Sequence, residues 1–241
     1  MAQKNQGLHI SGMRQFKAIL KKDIVMELRT KEMLTSMGLY ALLVLLIYYI
    51  ALSQAGSAFD VTNIAGGLLW LAIVFTSLLG LNRSLVHEKD QGCLDALLLA
   101  PVDRPVIFFG KAIGNLIFLL IVEVFVTPLF MVIFNAGKYS EGASTWGYLA
   151  LVLLVGSIGI AGVGTLLATM SVNTTGKDFV LAVLFIPIMF PLLLAVVAAT
   201  WAILNADPNL SVYWRMLAVA GGYDAIMLLA AYALYEFVLG A

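Results

Sequence analysis

Beyond residue 31 the chain is a succession of long apolar blocks separated by short polar breaks. The blocks fall at 35–54, 63–82, 106–134, 146–171, 179–204 and 211–239, the first centred on the unbroken run Leu42-Leu43-Val44-Leu45-Leu46-Ile47. Each reaches the ~20 residues a helix needs to cross a hydrocarbon core. None alternates over the roughly 10 residues that mark a barrel strand. The pattern predicts an all-α integral membrane protein with six transmembrane helices. These form a single domain over 1–241, with no soluble domain attached.

Ahead of the first block the period changes. Met13, Phe16, Leu20, Ile24 and Leu28 recur at steps of three and four, with Ile19 and Val25 alongside, which predicts an amphipathic helix over 13–31. Arg14, Lys17 and Lys21 form a basic row on it, and Glu27 and Lys31 are spaced as an i, i+4 pair. Two roles fit such a helix. It can lie in the membrane interface, with its apolar face among the acyl chains and its basic face on anionic lipid. It can also act as an elbow that packs on a cytoplasmic partner.

Composition settles the solvent. Of 241 residues 62% are hydrophobic and 12% charged, against about 45–50% and 25% in soluble domains. The mean hydropathy is +0.99. A water-soluble protein of this make-up would expose large apolar patches, and disorder is excluded for the opposite reason. The one cysteine, Cys93, excludes a disulfide scaffold. A net charge of zero gives no field that would attract nucleic acid. The first 34 residues do not read as a signal peptide, because the apolar stretch starts late and no small-residue cleavage site follows.

Charge changes the picture only through its distribution. Of the 14 lysines and arginines, only Lys138 and Arg215 fall on one side of the predicted spans. The rest precede the first span, lie between spans two and three, or, for Lys177, between spans four and five. The positive-inside rule then places both termini and the 83–111 region in the cytoplasm.

The 83–105 segment is the most informative in the chain. A charged stretch containing Glu88 meets Gly92, and a short apolar helix with Leu94, Asp95, Leu97 and Leu98 follows, ending at Pro101. Asp95 falls in the first turn of that helix, where a carboxylate complements the positive dipole end. Leu94, Leu97 and Leu98 need cover on the water side, from lipid or from a groove on another protein.

This segment, placed after the second of six spans, resembles the coupling helix of type-2 ABC exporter permeases. A closer resemblance is to the CcmB family, the heme exporter permeases of cytochrome c maturation. It is carried by Leu20-Lys21-Lys22-Asp23-Ile24 with Glu27, Leu28 and Arg29; by Ile64-Ala65-Gly66-Gly67-Leu68-Leu69-Trp70-Leu71-Ala72; and by Leu97-Leu98-Leu99-Ala100-Pro101-Val102 with Ile107 and Lys111-Ala112. It covers essentially the whole chain. One departure is Ile47-Tyr48-Tyr49-Ile50 at the end of the first span, where a Phe-Pro-like break is expected.

The resemblance implies a permease of the bacterial inner membrane that forms a homodimer within its complex. It implies a cytoplasmic ABC ATPase docked on Glu88, Gly92, Leu94, Asp95, Leu97, Leu98 and Pro101. Further implied partners are a heme-handling membrane subunit, a small membrane protein and a heme chaperone at the periplasmic side. A generic type-2 permease for a lipid, polysaccharide or drug shares the architecture. An ATP-independent transporter is a third class, against which stands the lack of paired, interrupted hydrophobic segments.

Several chemistries are missing. Gly110-Lys111 and Gly137-Lys138 lack the rest of a phosphate loop, so ATP is expected on a partner chain. There is no Cys-x-x-Cys-His, and His87-Glu88 lacks the second histidine of a zinc motif. His9 and His87, both outside the spans, cannot supply two axial ligands within the membrane, so no heme or metal is expected on this chain. Tyr223-Asp224 has no second aspartate of the intramembrane protease kind.

Ionisable groups inside spans are candidate functional positions. These are Asp224 in span six and Glu123 in span three, the latter expected nearer the outer leaflet. Each is either a neutral or hydrogen-bonded packing group, or part of a polar cluster that changes partners between states. Ser157, Ala161, Thr165 and Thr169 recur every four residues in span four, beside Gly164 and Ala168, as a close-packing face. Pro187 and Pro191 predict a kink separating a crossing half of span five from an outer re-entrant half ending at Asn205-Ala206-Asp207-Pro208.

Overall fold

The computed structural model describes residues 12–54, 62–90, 104–134, 143–171, 177–205 and 207–238. Among them are seven helices and no strand: α1 (Gly12–Thr30), α2 (Glu32–Gln54), α3 (Thr62–Asp90), α4 (Arg104–Ile133), α5 (Ala143–Ser171), α6 (Lys177–Leu204) and α7 (Leu210–Val238). Helices α2 to α7 each contain a stretch long and apolar enough to cross a bilayer, six in all. The chain is a multi-pass membrane protein. In lipid the backbone must satisfy itself, so an apolar block of this length has little choice but a helix.

The amphipathic segment folds as α1, but only part of it is left for lipid. Ile19 is buried against α4 while Met13, Val25 and Leu28 stay exposed. The expected Glu27–Lys31 pair is replaced by a different contact. Leu34 N–H donates to Glu27 Oε1 at 2.8 Å, so the carboxylate caps the start of α2, where unpaired N–H groups gather. Lys31, at the bend between the two helices, has a φ of 55°.

Helix α3 runs past its span, carrying the backbone of the charged stretch as far as Asp90. Helix α6 corrects an expectation. Pro187 and Pro191 lie inside one continuous helix to Leu204, and no re-entrant half separates. Tyr223 on α7 donates its hydroxyl to the carbonyl of Ile188, between the two prolines. The carbonyls that the prolines leave without a helical donor are those of Val183 and Pro187, so this bond ties α7 to α6 beside the prolines and does not replace a lost one. A short turn then follows, in which Asn209 Oδ1 accepts from Val212 N–H at 3.0 Å and caps α7.

Helix α5 is the axis of the bundle, packed against α3, α4, α6 and α7. Its small residues allow this. Gly156 lies under the Trp70 ring of α3, and a Cβ there would enter the indole. Gly159 lies against Asp224 of α7 and Leu192 of α6 with the same result. Trp70, fully buried, donates from Nε1 to Thr200 Oγ1 of α6 at 2.9 Å. Trp146, Trp201 and Trp214 are exposed at the end of the bundle opposite α1, as in an interfacial aromatic belt.

Candidate functional site

Three buried charge-bearing residues among the described ones, Lys111, Glu123 and Asp224, mark three places in this apolar bundle. The first is the α1 end of α4. Lys111 is 3% exposed, and its Nζ reaches Asp23 Oδ2 at 3.0 Å and Oδ1 at 3.3 Å. Asp23 also pairs with Lys22 Nζ at 3.1 Å. An ammonium this deep holds its charge only against a close counter-charge. Lys111 counts among the basic residues near the 83–105 segment in the sequence; in the fold it is a buried half of an ion pair.

The second place is a seam between α4 and α5. Asn115 Nδ2 donates to Thr165 Oγ1 at 2.9 Å, and Ser157 Oγ donates to Glu123 Oε1 at 2.5 Å. Thr169 Oγ1 turns back to the Thr165 carbonyl at 2.8 Å. The two inter-helix bonds lie eight residues apart on each antiparallel helix, so they lie along one face of each. The small-residue face of span four is therefore also a hydrogen-bonding face. Its partner row was legible on α4, where Lys111, Asn115, Glu123 and Thr127 recur at multiples of four.

The third place is Asp224, buried against Gly159 on the far side of α5. Ser157 and Gly159 are two residues apart, about 200° around the helix, so Glu123 and Asp224 flank α5 from opposite faces. Both contacts fall at the midpoint of the Ser144–Ser171 span. Glu123 thus sits level with the middle of α5, and past the centre of its own span, Pro105–Ile133, on the side away from α1. Among the described residues, Glu123 Oε2, Thr127 Oγ1 and Asp224 Oδ1 have no hydrogen-bond partner.

Glu88 lies in the last turns of α3. Gly92, Leu94, Asp95, Leu97, Leu98 and Pro101 lie outside the described residues. No group of three His, Cys, Asp or Glu gathers among the described residues. What the arrangement offers is mechanical. Donors and acceptors fix the register of α4 on α5, and an ion pair fixes α1 on α4.

Comparison with known proteins agrees in one direction. The family model described as "CcmB protein" matches residues 14–238. The chain is similar to the "Heme exporter protein B" of Rhodobacter capsulatus, 29% identical over 132 residues, or 55% of this chain and 58% of that protein. It is similar to the Bradyrhizobium diazoefficiens protein of the same name, 25% identical over 143 residues, covering 59% and 62%. The chain thus spans about three-fifths of the length of these two relatives. With the Haemophilus influenzae protein of that name the identity is 22% over 226 residues, covering 94% and 96%. The family match takes in most of α1 and all six spans, and the chain belongs to the CcmB protein family.

Proposed function

We propose that this chain is the transmembrane subunit of an ABC transporter complex in cytochrome c biogenesis. It has no ATPase site of its own. It couples ATP hydrolysis on a separate subunit to heme delivery, or to release of a heme-loaded chaperone, at the periplasmic side. The observation that carries this reading is the family match over residues 14–238, together with relatives named heme exporter protein B.

The reading places a single permease domain in the bacterial inner membrane, with both termini cytoplasmic, as the lysine and arginine distribution favours. Partners are the ABC ATPase, a heme-handling membrane subunit, a small membrane protein, the heme chaperone and a second copy of this chain. The ATPase docks on Glu88, Gly92, Leu94, Asp95, Leu97, Leu98 and Pro101. Buried polar groups that fix helix register suit a part that transmits motion rather than one that ligates heme iron.

The test is covalent heme in membrane c-type cytochromes, in cells lacking this gene and in complemented cells. Loss in the deletion strain, restored by wild type but not by Leu98→Asp, is the expected result. The same variant should lose the co-purifying ATPase while still inserting in the membrane. Normal c-type cytochromes in the deletion strain would remove the heme assignment and leave a generic type-2 permease.

A further inference from the structure

We propose that Asp23 and Lys111 are positioning residues that clamp α1 to α4, so that the two helices travel as one body when the 83–105 segment is moved. The inference rests on the reading above that this segment receives a partner's motion. Its structural half stands separately.

Three observations converge on the clamp. Residues 91–103 lead directly into α4 at Arg104, and Lys111 lies two turns further in. A displacement of the segment therefore enters the bundle at this helix. The surface that α4 offers there is shaped for α1. Gly110 receives the Ile19 side chain, and a Cβ at that glycine would lie 3.0 Å from Ile19 Cγ2. Gly114 faces the same helix more loosely, a Cβ there lying 3.8 Å from Asp23 Oδ2 and 3.9 Å from Leu20 Cδ1. Ile19 closes a small apolar cluster with Ile107, Phe108, Ala112, Leu166 and Tyr235, distinct from the main core. The cluster joins α1 to α4, α5 and α7 at one end of the bundle.

The ion pair is the directional part of this contact. Both carboxylate oxygens of Asp23 face Lys111 Nζ. Apolar contacts tolerate sliding, whereas a buried ammonium left without its carboxylate is strongly disfavoured. Moving α1 with α4 avoids that state; leaving α1 behind creates it.

The geometry supplies its own test. The Cβ position of Gly110 is 3.4 Å from Ile19 Cβ, near the 3.5–4.5 Å found across disulfides. In a Cys93→Ala background, Ile19→Cys with Gly110→Cys should cross-link within the chain on mild oxidation. Cytochrome maturation should be the same in the oxidised and reduced forms. Loss of maturation on oxidation, regained with reductant, would show that α1 leaves α4 and would overturn the proposal.

Adding Lys111→Met or Asp23→Asn should slow cross-linking by about tenfold or more. The exchanged pair Asp23→Lys with Lys111→Asp should recover both cross-linking and maturation. Cross-linking at the parent rate in Lys111→Met, or no cross-link in the parent, would sink the clamp. Neither result depends on what the complex transports. If the parent protein proves irrelevant to cytochromes, the functional reading fails while the cross-linking rates still judge the clamp.

Discussion

The α1 end of the bundle and its centre treat buried charge in opposite ways. At the end, Lys111 meets a carboxylate through both oxygens. At the centre, Glu123 has one hydroxyl on one oxygen, and its other oxygen has no partner among the described residues. Asp224 lies against Gly159, and its Oδ1 likewise has no partner among the described residues. Buried polar groups are stable in proportion to how fully they are compensated. The end is therefore a fixed joint. At the centre, where α4, α5 and α7 meet, single hydrogen bonds set the register and leave acceptor oxygens without partners among the described residues.

The largest expected effect breaks the joint. Lys111→Met removes two charge-assisted bonds while Asp23 keeps Lys22 at 3.1 Å, so it should cost about 1.5–3 kcal/mol. Thermal unfolding of the purified protein in detergent reads this directly. A loss below about 1 kcal/mol would put the end on the same footing as the centre. The middle effect sharpens the contrast. Ser157→Ala should cost about 1 kcal/mol, and Glu123→Gln, which keeps an acceptor for Ser157, should cost less. A double-mutant cycle between them that returned a coupling of about 3 kcal/mol or more would mean a compensated centre. The smallest effect is the control. Arg83 and Glu32 pair at 3.0 Å with both side chains largely exposed, so Arg83→Ala should shift stability by no more than about 0.5 kcal/mol.

The sequence carries the helices far better than their contacts. Except at α3, which continues past its block to Asp90, span ends agree with the helices to within a few residues because hydropathy and helix formation have one cause in lipid, the need to satisfy every backbone group internally. Pairings are another matter. Asp23 and Lys111 are 88 residues apart, and each looks like one more charge flanking a span. The four-residue repeat on α5 is visible, but its reading as a packing face is incomplete until the matching row on α4 is aligned with it. The two prolines of α6 predict a break. The helix nonetheless continues to Leu204, and the bond beside the prolines comes from Tyr223, on another element. Gly156 and Gly159 carry no such repeat in the sequence; only the fold shows them meeting different neighbours, Trp70 and Asp224.

A single residue, Lys31, joins α1 to α2. Its N–H bonds the Glu27 carbonyl at 2.6 Å, and its own carbonyl accepts from Thr35 at 3.0 Å, so both sides of the bend are tied. With a φ of 55° it occupies a narrow region that L side chains rarely visit. In kinematic terms this is a mount rather than a tether: two torsions and no slack. A tilt of α2 must be matched by α1, or it must twist a residue that has little room to turn. Held at one end by Lys31 and along one side by α4, the N-terminal helix keeps only rotation about its own axis, and the Asp23 side chain opposes that.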